Sequence, residues 1–234
     1  MCGRFGLFAD LEDLADHFDF RAEPLQASYL PRWNIPPTSP VLTVLGNGHA
    51  RAAGMMRWGL MPSQTRNDRS TPRLLFNARA ETIDRRTIFR NAFAARRCLV
   101  PANGFYEWPA GTERTKTPQW ISQQDGHPVA FAGIWYAAQS HEEAPGSCVI
   151  ITTAANSLVA PIHNRMPVIL PPEQFDAWLS RHTEPAELLA LLGSRDWPDM
   201  SVREVSTAAN RVANDGPHLI DADEPTGSTQ RLFP

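Results

Sequence analysis

Residues 98–108 read CLVPANGFYEW, and this stretch decides the type of fold. Its two apolar runs, residues 98–100 and 104–108, are separated by the tripeptide Pro-Ala-Asn. Short runs of β-branched and aromatic residues between such breakers are typical of β-strands. Similar runs follow at residues 119–122, 129–137 and 148–153. Five closely spaced strands predict a substantial sheet in the middle of the chain.

Four segments outside this stretch have the apolar spacing of short helices. They are residues 10–18, 84–97, 171–180 and 184–192. The first begins at Asp10, a residue type that caps helices, and the last two have a proline near their first turn. The helix over residues 84–97 is expected to be longer than the one at residues 10–18.

Two more strands are predicted upstream, at residues 41–45 and 50–58, joined by the turn Gly46-Asn47-Gly48. Residues 62–73 are polar and rich in breakers, which is typical of a surface loop. Strands and helices therefore interleave without a regular strand-helix-strand rhythm. This order favours an α+β domain over a doubly wound parallel sheet.

The predicted fold class is α+β, as a single domain with a curled, largely antiparallel sheet flanked by short helices. A chain of 234 residues is long enough to form one core without disulfides, and its 21 prolines keep the helices short. The domain is predicted to span residues 1–220. Residues 221–234 have little to bury and are expected to form a flexible tail.

Composition excludes several classes of protein. The chain has no basic start followed by an apolar run and no apolar stretch long enough to span a membrane, so a cytosolic protein is expected. Cys2, Cys98 and Cys148 are far apart and form no CxxC pair, which argues against a disulfide framework or a zinc site. The net charge of −3 requires any contact with DNA to come from a local basic patch.

Cys2 has distinctive chemistry, because removal of Met1 leaves an α-amine and a thiol on one residue. An α-amine ionises near pH 8, so a fraction of it is neutral and nucleophilic at pH 7. It can attack an aldehyde to form an imine, and the thiol can then close a five-membered thiazolidine ring. The alternative is an inert second residue, and the rest of the sequence must decide between the two.

Two other ionisable residues stand in apolar surroundings. Glu107 lies between Tyr106 and Trp108, where burial favours the protonated carboxyl and suits it to proton transfer. It could equally be an outward residue of an alternating strand. His163 follows Ile162 and could be either a proton-transfer group or a structural histidine.

Seven motifs occur in order along the chain. They are Cys2-Gly-Arg-Phe5, Asn34-Ile-Pro-Pro37, Arg57-Trp-Gly-Leu60, Asn77-Ala-Arg-Ala-Glu-Thr82, Arg96-Arg-Cys-Leu-Val-Pro101, Gly104-Phe-Tyr-Glu-Trp108 and His163-Asn-Arg-Met-Pro167. Together they closely resemble the SOS-response-associated peptidase (SRAP) family, whose members crosslink to abasic sites. Asn214-Asp-Gly-Pro217 is similar to the family's closing motif, so the resemblance extends to about residue 220.

The resemblance implies a bifurcated sheet, or pseudo-barrel, with a groove for single-stranded DNA that contains an abasic site. It assigns Cys2 as the nucleophile that forms a thiazolidine with the ring-opened sugar. Asn77 then positions the amine, Glu107 shuttles protons, and His163 assists opening of the sugar ring. No metal or other cofactor is implied, and a monomer is expected.

The family's DNA contacts carry over to six residues of this chain. The resemblance assigns phosphate binding to Arg4, Arg79 and Arg165, whose guanidinium groups suit that role. It also assigns to Trp58-Gly59-Leu60 an apolar ledge for bases near the lesion. The expected location is a bacterial-type cytosol, with association to the nucleoid when the protein is bound to DNA.

Three other interpretations remain open from the residues alone. Cys2 could serve an N-terminal-nucleophile amidohydrolase, because glutamine-dependent amidotransferases also begin Met-Cys-Gly. Cys2, His163 and Glu107 could form a thiol peptidase triad, with self-removal of Met1 as one outcome. A passive single-strand binding module is the third, and it differs because its complexes do not survive denaturation. A lyase-type strand cleavage accompanying the crosslink also stays open.

Overall fold

The computed structural model describes residues 2–46, 51–61, 73–109, 116–138 and 146–221. Within these ranges the chain forms thirteen strands and four α-helices, with a few short 3₁₀ turns. In chain order they are β1 (Phe5–Leu7), α1 (Leu11–Phe18), β2 (Arg32–Ile35), β3 (Pro40–Gly46), β4 (Arg51–Trp58), β5 (Asn77–Arg79), α2 (Thr87–Ala95), β6 (Arg97–Ala102), β7 (Gly104–Glu107), β8 (Gln119–Gln123), β9 (Val129–Tyr136), β10 (Ser147–Ala154), β11 (Arg165–Pro167), β12 (Ile169–Leu170), α3 (Phe175–Leu179), α4 (Pro185–Ala190) and β13 (Met200–Glu204).

The strands form two sheets. The smaller sheet has the order β13-β8-β7-β1-β2. In the larger sheet β10 pairs with both β4 and β9, so the path β4-β3-β6-β9-β10 returns to its start as a ring. Among the described strands the pairings are antiparallel, except that β10 runs parallel to β4 and to β5. The predicted α+β class with a curled, largely antiparallel sheet is thus confirmed.

The N-terminal strand β1 lies inside the smaller sheet rather than at its edge. Phe5 is opposite Phe105 of β7 on one side and Ile35 of β2 on the other. Its aromatic ring is fully buried and meets Phe131 of the ring sheet edge-on, with 5.8 Å between centroids. The residues before Phe5 are therefore held at the line where the two sheets meet.

Helix α2 is shorter than predicted. It covers Thr87–Ala95 instead of residues 84–97, and Arg97 is already the first residue of β6. The Arg97 side chain is buried and donates hydrogen bonds to the carbonyl oxygens of Phe93 and Ala94, both at the end of α2. Apolar periodicity alone does not locate this end, because the residue that satisfies the last carbonyls is the first of a strand.

The other predicted elements agree with the structure to within a few residues. Helix α1 begins after Asp10, although the Asp10 side chain makes no capping hydrogen bond. The segment predicted as a helix over residues 171–180 consists of a 3₁₀ turn followed by α3, and α4 is shorter than residues 184–192. The turn at residues 46–48, the loop 62–73 and the tail 221–234 fall wholly or largely outside the described residues.

Several strands were not predicted from sequence. They are β1, β2, β5, β11, β12 and β13, with two to five residues each. Segments this short contain too few alternations to give a periodic signal. Three of them, β1, β5 and β11, bring candidate site residues together. Among the described helices, none has the length and apolar content needed to cross a bilayer.

Gly104 allows strands β7 and β8 to lie close together beneath Trp120. A β-carbon at Gly104 would lie 2.5 Å from Cζ2 of Trp120 and 2.6 Å from the carbonyl oxygen of Ile121. Neither atom can move freely, because the Trp120 ring is buried and the carbonyl belongs to the neighbouring strand. The smaller sheet therefore depends on a glycine at this position.

We expect Gly104→Ala to lower the free energy of unfolding by about 1–3 kcal/mol, the usual cost of overpacking. Urea denaturation gives this value. The matched control is Gly54→Ala in β4, where a β-carbon meets no heavy atom within 4 Å. That substitution should leave stability nearly unchanged. If Gly104→Ala lowers the free energy of unfolding no more than Gly54→Ala does, β7 tolerates the added side chain by shifting away from Trp120.

Candidate active site between the two sheets

Cys2 lies at the junction of the sheets, fully buried. The Nδ2 of Asn77 donates a hydrogen bond of 2.7 Å to the carbonyl oxygen of Cys2. Burial raises the pKa of the thiol well above its usual range, and the nearby Glu107 carboxylate raises it further. The backbone N–H of Arg4 contacts the sulfur and opposes this shift. The thiol is therefore held neutral in this structure.

Asn77 reaches Cys2 from the larger sheet. It opens strand β5, which runs parallel to β10 with Asn77 opposite Ile150. While Nδ2 is bonded to Cys2, the buried Oδ1 has no hydrogen-bond partner among the described residues. A buried acceptor without a partner is unfavourable unless a donor arrives during function. Asn77 thus fixes the Cys2 carbonyl and offers an acceptor beside it.

Glu107 comes from the smaller sheet, at the end of β7. Only 4% of the residue is exposed, so it is not the outward strand residue that the sequence left open. Burial raises the pKa of its carboxyl, while the amino terminus and His163 act in the opposite direction. Glu107 is therefore close enough to both groups for them to act on it electrostatically. A carboxyl with a raised pKa can serve as a general acid near neutral pH.

His163 is half-buried and lies just before β11. The backbone N–H of Arg165 donates to Nδ1 of His163 at 2.9 Å. Nδ1 also lies 3.1 Å from the carbonyl oxygen of Arg165, so the tautomer decides whether this nitrogen accepts from the N–H or donates to the carbonyl. In either case the backbone of β11 orients the ring. The four predicted catalytic residues, Cys2, Asn77, Glu107 and His163, are brought together by four different elements.

Arg165 and Arg79 lie on the two strands that flank β10. Arg165 is opposite Ala154 on one side of β10, and Arg79 is opposite Thr152 on the other. Arg79 is exposed, whereas Arg165 forms a two-bond ion pair with Glu81 and also donates to the carbonyl oxygen of Thr152. These arginines form a basic strip at the edge of the site.

Arg4 has a different environment from the other two arginines. Its Nη1 donates to Oδ1 of Asn34 at 2.7 Å and to the carbonyl oxygen of Ala209 at 3.0 Å. Its guanidinium also lies over the Trp108 ring, 5.6 Å from the centroid. Burial lowers its pKa. Arg4 therefore ties the N-terminal segment to the C-terminal part of the domain, in addition to any contact with DNA.

The predicted ledge of Trp58, Gly59 and Leu60 is only partly at the surface. Trp58 is fully buried, and its Nε1 donates to the carbonyl oxygen of Phe76. Gly59 has φ +121 and is buried, whereas Leu60 is half-exposed and paired with Leu75. A ring without exposed surface cannot stack on a base, so Trp58 supports the ledge from below. Its exposed part lies at Leu60.

Sequence reasoning did not assign roles to Glu81 and Thr152, which form hydrogen bonds with Arg165, or to Asn34, which forms one with Arg4. Glu81 and Asn34 lie inside two of the seven motifs, and this was the only signal available. Their partners are distant in sequence, so the contacts could not be read from spacing. Within the described ranges, no group of His, Cys, Asp and Glu side chains is arranged to hold a metal ion.

A family model for SOS response associated peptidase (SRAP) matches residues 1–212. The chain belongs to the SRAP family. The resemblance seen in the sequence motifs is thereby confirmed, and the match contains every candidate site residue. The SRAP domain also includes Asn34 and Ala209, which anchor Arg4.

Three SRAP relatives are named abasic site processing proteins. YoqW of Bacillus subtilis is 36% identical over 224 residues, covering 95% of this chain and 100% of the relative. YedK of Escherichia coli is 28% identical, covering 94% and 99%. HMCES of Gallus gallus is 28% identical, covering 83% of this chain and 67% of its own length.

Solved structures share the SRAP fold of this chain. A protein from Bacteroides thetaiotaomicron superposes with a TM-score of 0.78 at 23% identity, covering 94% of this chain and 99% of its own. A phage-related protein from Bordetella bronchiseptica gives a TM-score of 0.66 at 28% identity, covering 87% and 94%. Both likenesses extend over most of the chain.

The raised pKa of Glu107 predicts that this residue costs stability once it is ionised. A carboxyl with a raised folded-state pKa favours folding only while it is protonated, and this advantage is lost as pH rises through that pKa. We therefore expect Glu107→Gln to be more stable than wild type at pH 8. The gain should vanish below about pH 4, where the wild-type carboxyl is protonated in both states.

Urea unfolding at both pH values measures this difference. Glu12→Gln is the matched control, because Glu12 is an exposed glutamate of α1 and should show little dependence of this kind. A Glu107→Gln protein that is less stable than wild type at pH 8 would show that hydrogen bonds to the carboxylate outweigh the cost of burying it.

Proposed function

We propose that this protein processes abasic sites in single-stranded DNA by forming a covalent thiazolidine crosslink through Cys2 after removal of Met1. One observation carries the proposal: Asn77 holds the buried Cys2 by a hydrogen bond, and Glu107, also buried, acts electrostatically on the Cys2 thiol. The names of the SRAP relatives support abasic DNA as the substrate. The crosslink shields the lesion within the protein.

The reaction begins with the α-amine of Cys2, because burial disfavours the thiolate. The amine adds to the C1 aldehyde of the ring-opened sugar, and the carbinolamine loses one water to give an imine. The sulfur then adds to the imine carbon, and the thiol proton passes to the nitrogen. One water is released overall, and no oxidant, metal or other cofactor takes part.

Each neighbouring side chain has a role in these steps. The unpartnered Oδ1 of Asn77 accepts a hydrogen bond from the α-amine and directs it at the aldehyde. Protonated Glu107 donates the proton that leaves with water. Nε2 of His163 donates toward the sugar oxygen during ring opening, since its Nδ1 is occupied by the Arg165 backbone. Removal of Met1 is essential, because an amide nitrogen cannot form an imine.

DNA binds through the basic strip and the ledge. Arg79 and Arg165 contact phosphates, Arg4 contributes at the N-terminal segment, and Leu60 contacts bases above Gly59 and buried Trp58. The protein acts as a monomer in the cytosol and associates with the nucleoid when bound. An imine that does not close its ring can also undergo elimination, a lyase-type outcome that accompanies slow thiazolidine formation.

A second candidate function is the hydrolytic removal of Met1 by the site itself. The family's description as a peptidase favours it, and Cys2 directly follows the bond to be cut. This activity prepares the crosslinking form and is compatible with the same residues. Hydrolysis of other amides, as in an amidohydrolase, requires a deprotonated Cys2 thiol, which burial disfavours.

We expect wild type to give a heat-stable adduct with an abasic single strand on a denaturing gel, and Cys2→Ala to give none. Intact mass of the active protein should show loss of one methionine. Cys98→Ala and Cys148→Ala are matched controls, because both thiols are free and fully buried like that of Cys2. They should retain the adduct. An adduct that persists in Cys2→Ala and maps to a lysine would contradict the proposal.

Glu107→Gln and His163→Ala are expected to slow adduct formation by about 10²- to 10⁴-fold, the usual contribution of general acid–base groups, without changing the final yield. The wild-type rate should fall as pH rises through the raised pKa of Glu107, because the required acid is then lost. The rate of Glu107→Gln should not show this fall with rising pH. Single-turnover crosslinking against pH, with borohydride to trap imine, measures both effects. A Glu107→Gln protein with the wild-type rate and pH profile would exclude Glu107 from proton transfer.

A further inference from the structure

Arg165 is already bound to an anion in the absence of DNA. Its Nη1 lies 2.5 Å from Oε1 of Glu81, and its Nη2 lies 3.0 Å from Oε2. This parallel two-bond arrangement is the one in which guanidinium binds carboxylate or phosphate most strongly. The side chain of Arg165 is 14% exposed, whereas that of Glu81 is 50% exposed. The carboxylate therefore covers the cation from the solvent side.

The Glu81 carboxylate also lies under the influence of the second arginine of the strip. Glu81 lies in the 3₁₀ turn that follows β5, and β5 and β11 both pair with β10. The Glu81 side chain therefore reaches across β10 to Arg165 on β11. Hydrogen bonding with Arg165 lowers the pKa of Glu81, and the charge of Arg79 lowers it further. One carboxylate thus binds Arg165 directly and feels the charge of Arg79, the two cations proposed to bind phosphates.

Arg165 does not need Glu81 in order to keep its position. Its Nη2 also donates to the carbonyl oxygen of Thr152 at 2.5 Å. Thr152 is a fully buried residue of β10, held between β5 and β11. This bond leaves the Nη1 edge of the guanidinium directed toward Glu81. Loss of the carboxylate therefore leaves a positioned cation with an open edge.

We propose that Glu81 is the resident anion of a phosphate subsite formed by Arg165 and Arg79, which a DNA backbone phosphate must displace on binding. The inference rests on the proposed function, because it requires that this strip binds DNA. When a phosphate displaces the Glu81 carboxylate, Arg165 exchanges one anion for another. Glu81 therefore lowers the affinity of the protein for any single strand. Because the charge of Arg165 is neutralised both before and after binding, its phosphate contact does not add to the salt dependence of the affinity.

The experiment measures noncovalent binding by fluorescence anisotropy over a range of KCl concentrations. The probe is a single strand with a tetrahydrofuran abasic analogue, which has no aldehyde and cannot crosslink. Four proteins are compared with wild type: Glu81→Gln, Asp84→Asn, Arg165→Ala and the double variant of Glu81→Gln with Arg165→Ala. Asp84→Asn is the matched control, since Asp84 lies three residues after Glu81 and its exposed carboxylate is paired with Arg85. The substitution removes the same charge as Glu81→Gln.

Glu81→Gln should bind the strand about two- to fivefold more tightly at low salt, the scale of a partly exposed ion pair that no longer has to be broken. Its slope of log affinity against log salt should be steeper than that of wild type by about 0.7, the value for one further phosphate contact on a single strand. Asp84→Asn should change neither quantity to this extent. In the Arg165→Ala background, Glu81→Gln should have no effect beyond that of Asp84→Asn.

Two results overturn the inference while leaving the proposed function intact. Weaker binding by Glu81→Gln would show that the carboxylate orients Arg165 for DNA instead of competing with it. Equal gains in Glu81→Gln and Asp84→Asn would show a general charge effect without a subsite. A wild-type protein that binds no single strand at any salt concentration overturns the proposed function together with this inference, so the two failures are distinguishable.

Discussion

The structure depends on the burial of Phe5 between the two sheets. Its backbone belongs to β1 of the smaller sheet, while its ring packs edge-on against Trp58 and Phe131 of the ring sheet, with centroids 5.1 and 5.8 Å away. A fully buried phenylalanine is stabilised by about 1.5–3 kcal/mol relative to exposure. Because β1 is also paired on both sides, the chain just before Phe5 cannot move away from the junction. This one packing contact therefore positions Cys2.

The site combines residues that are individually unfavourable to bury. Glu107 is 4% exposed with a raised pKa, and Asn77 keeps a buried Oδ1 without a partner among the described residues. Such groups persist in a folded protein because the sheets around them are stable enough to hold them. The same desolvation that costs stability keeps the Cys2 thiol neutral and the Glu107 carboxyl protonated over a wider pH range. Protein stability and the proposed chemistry are thus linked through burial.

The main sheet strands and helices could be predicted from the sequence because their signals are local. Strands β6 to β10 contain apolar runs between breakers, and α1 shows an apolar face of helical spacing. The end of α2 could not be predicted, since Arg97 satisfies helix carbonyls from within a strand. Strands β1, β5 and β11 have three residues each and form because neighbouring strands already provide hydrogen-bond partners. Closure of the ring through the parallel β4–β10 pair joins segments about ninety residues apart.

The sequence by itself determined the family and the candidate residues Cys2, Asn77, Glu107 and His163, because ordered motifs record identities and spacing along the chain. It did not determine which side of the chain each residue faces. Only the tertiary structure decided that Glu107 points inward, that Trp58 lies beneath the ledge, and that Glu81 forms an ion pair with Arg165. The physical reason is that burial and ion pairing depend on distances between residues of different strands. Sheet pairing sets those distances, and a single sequence contains no direct measure of them.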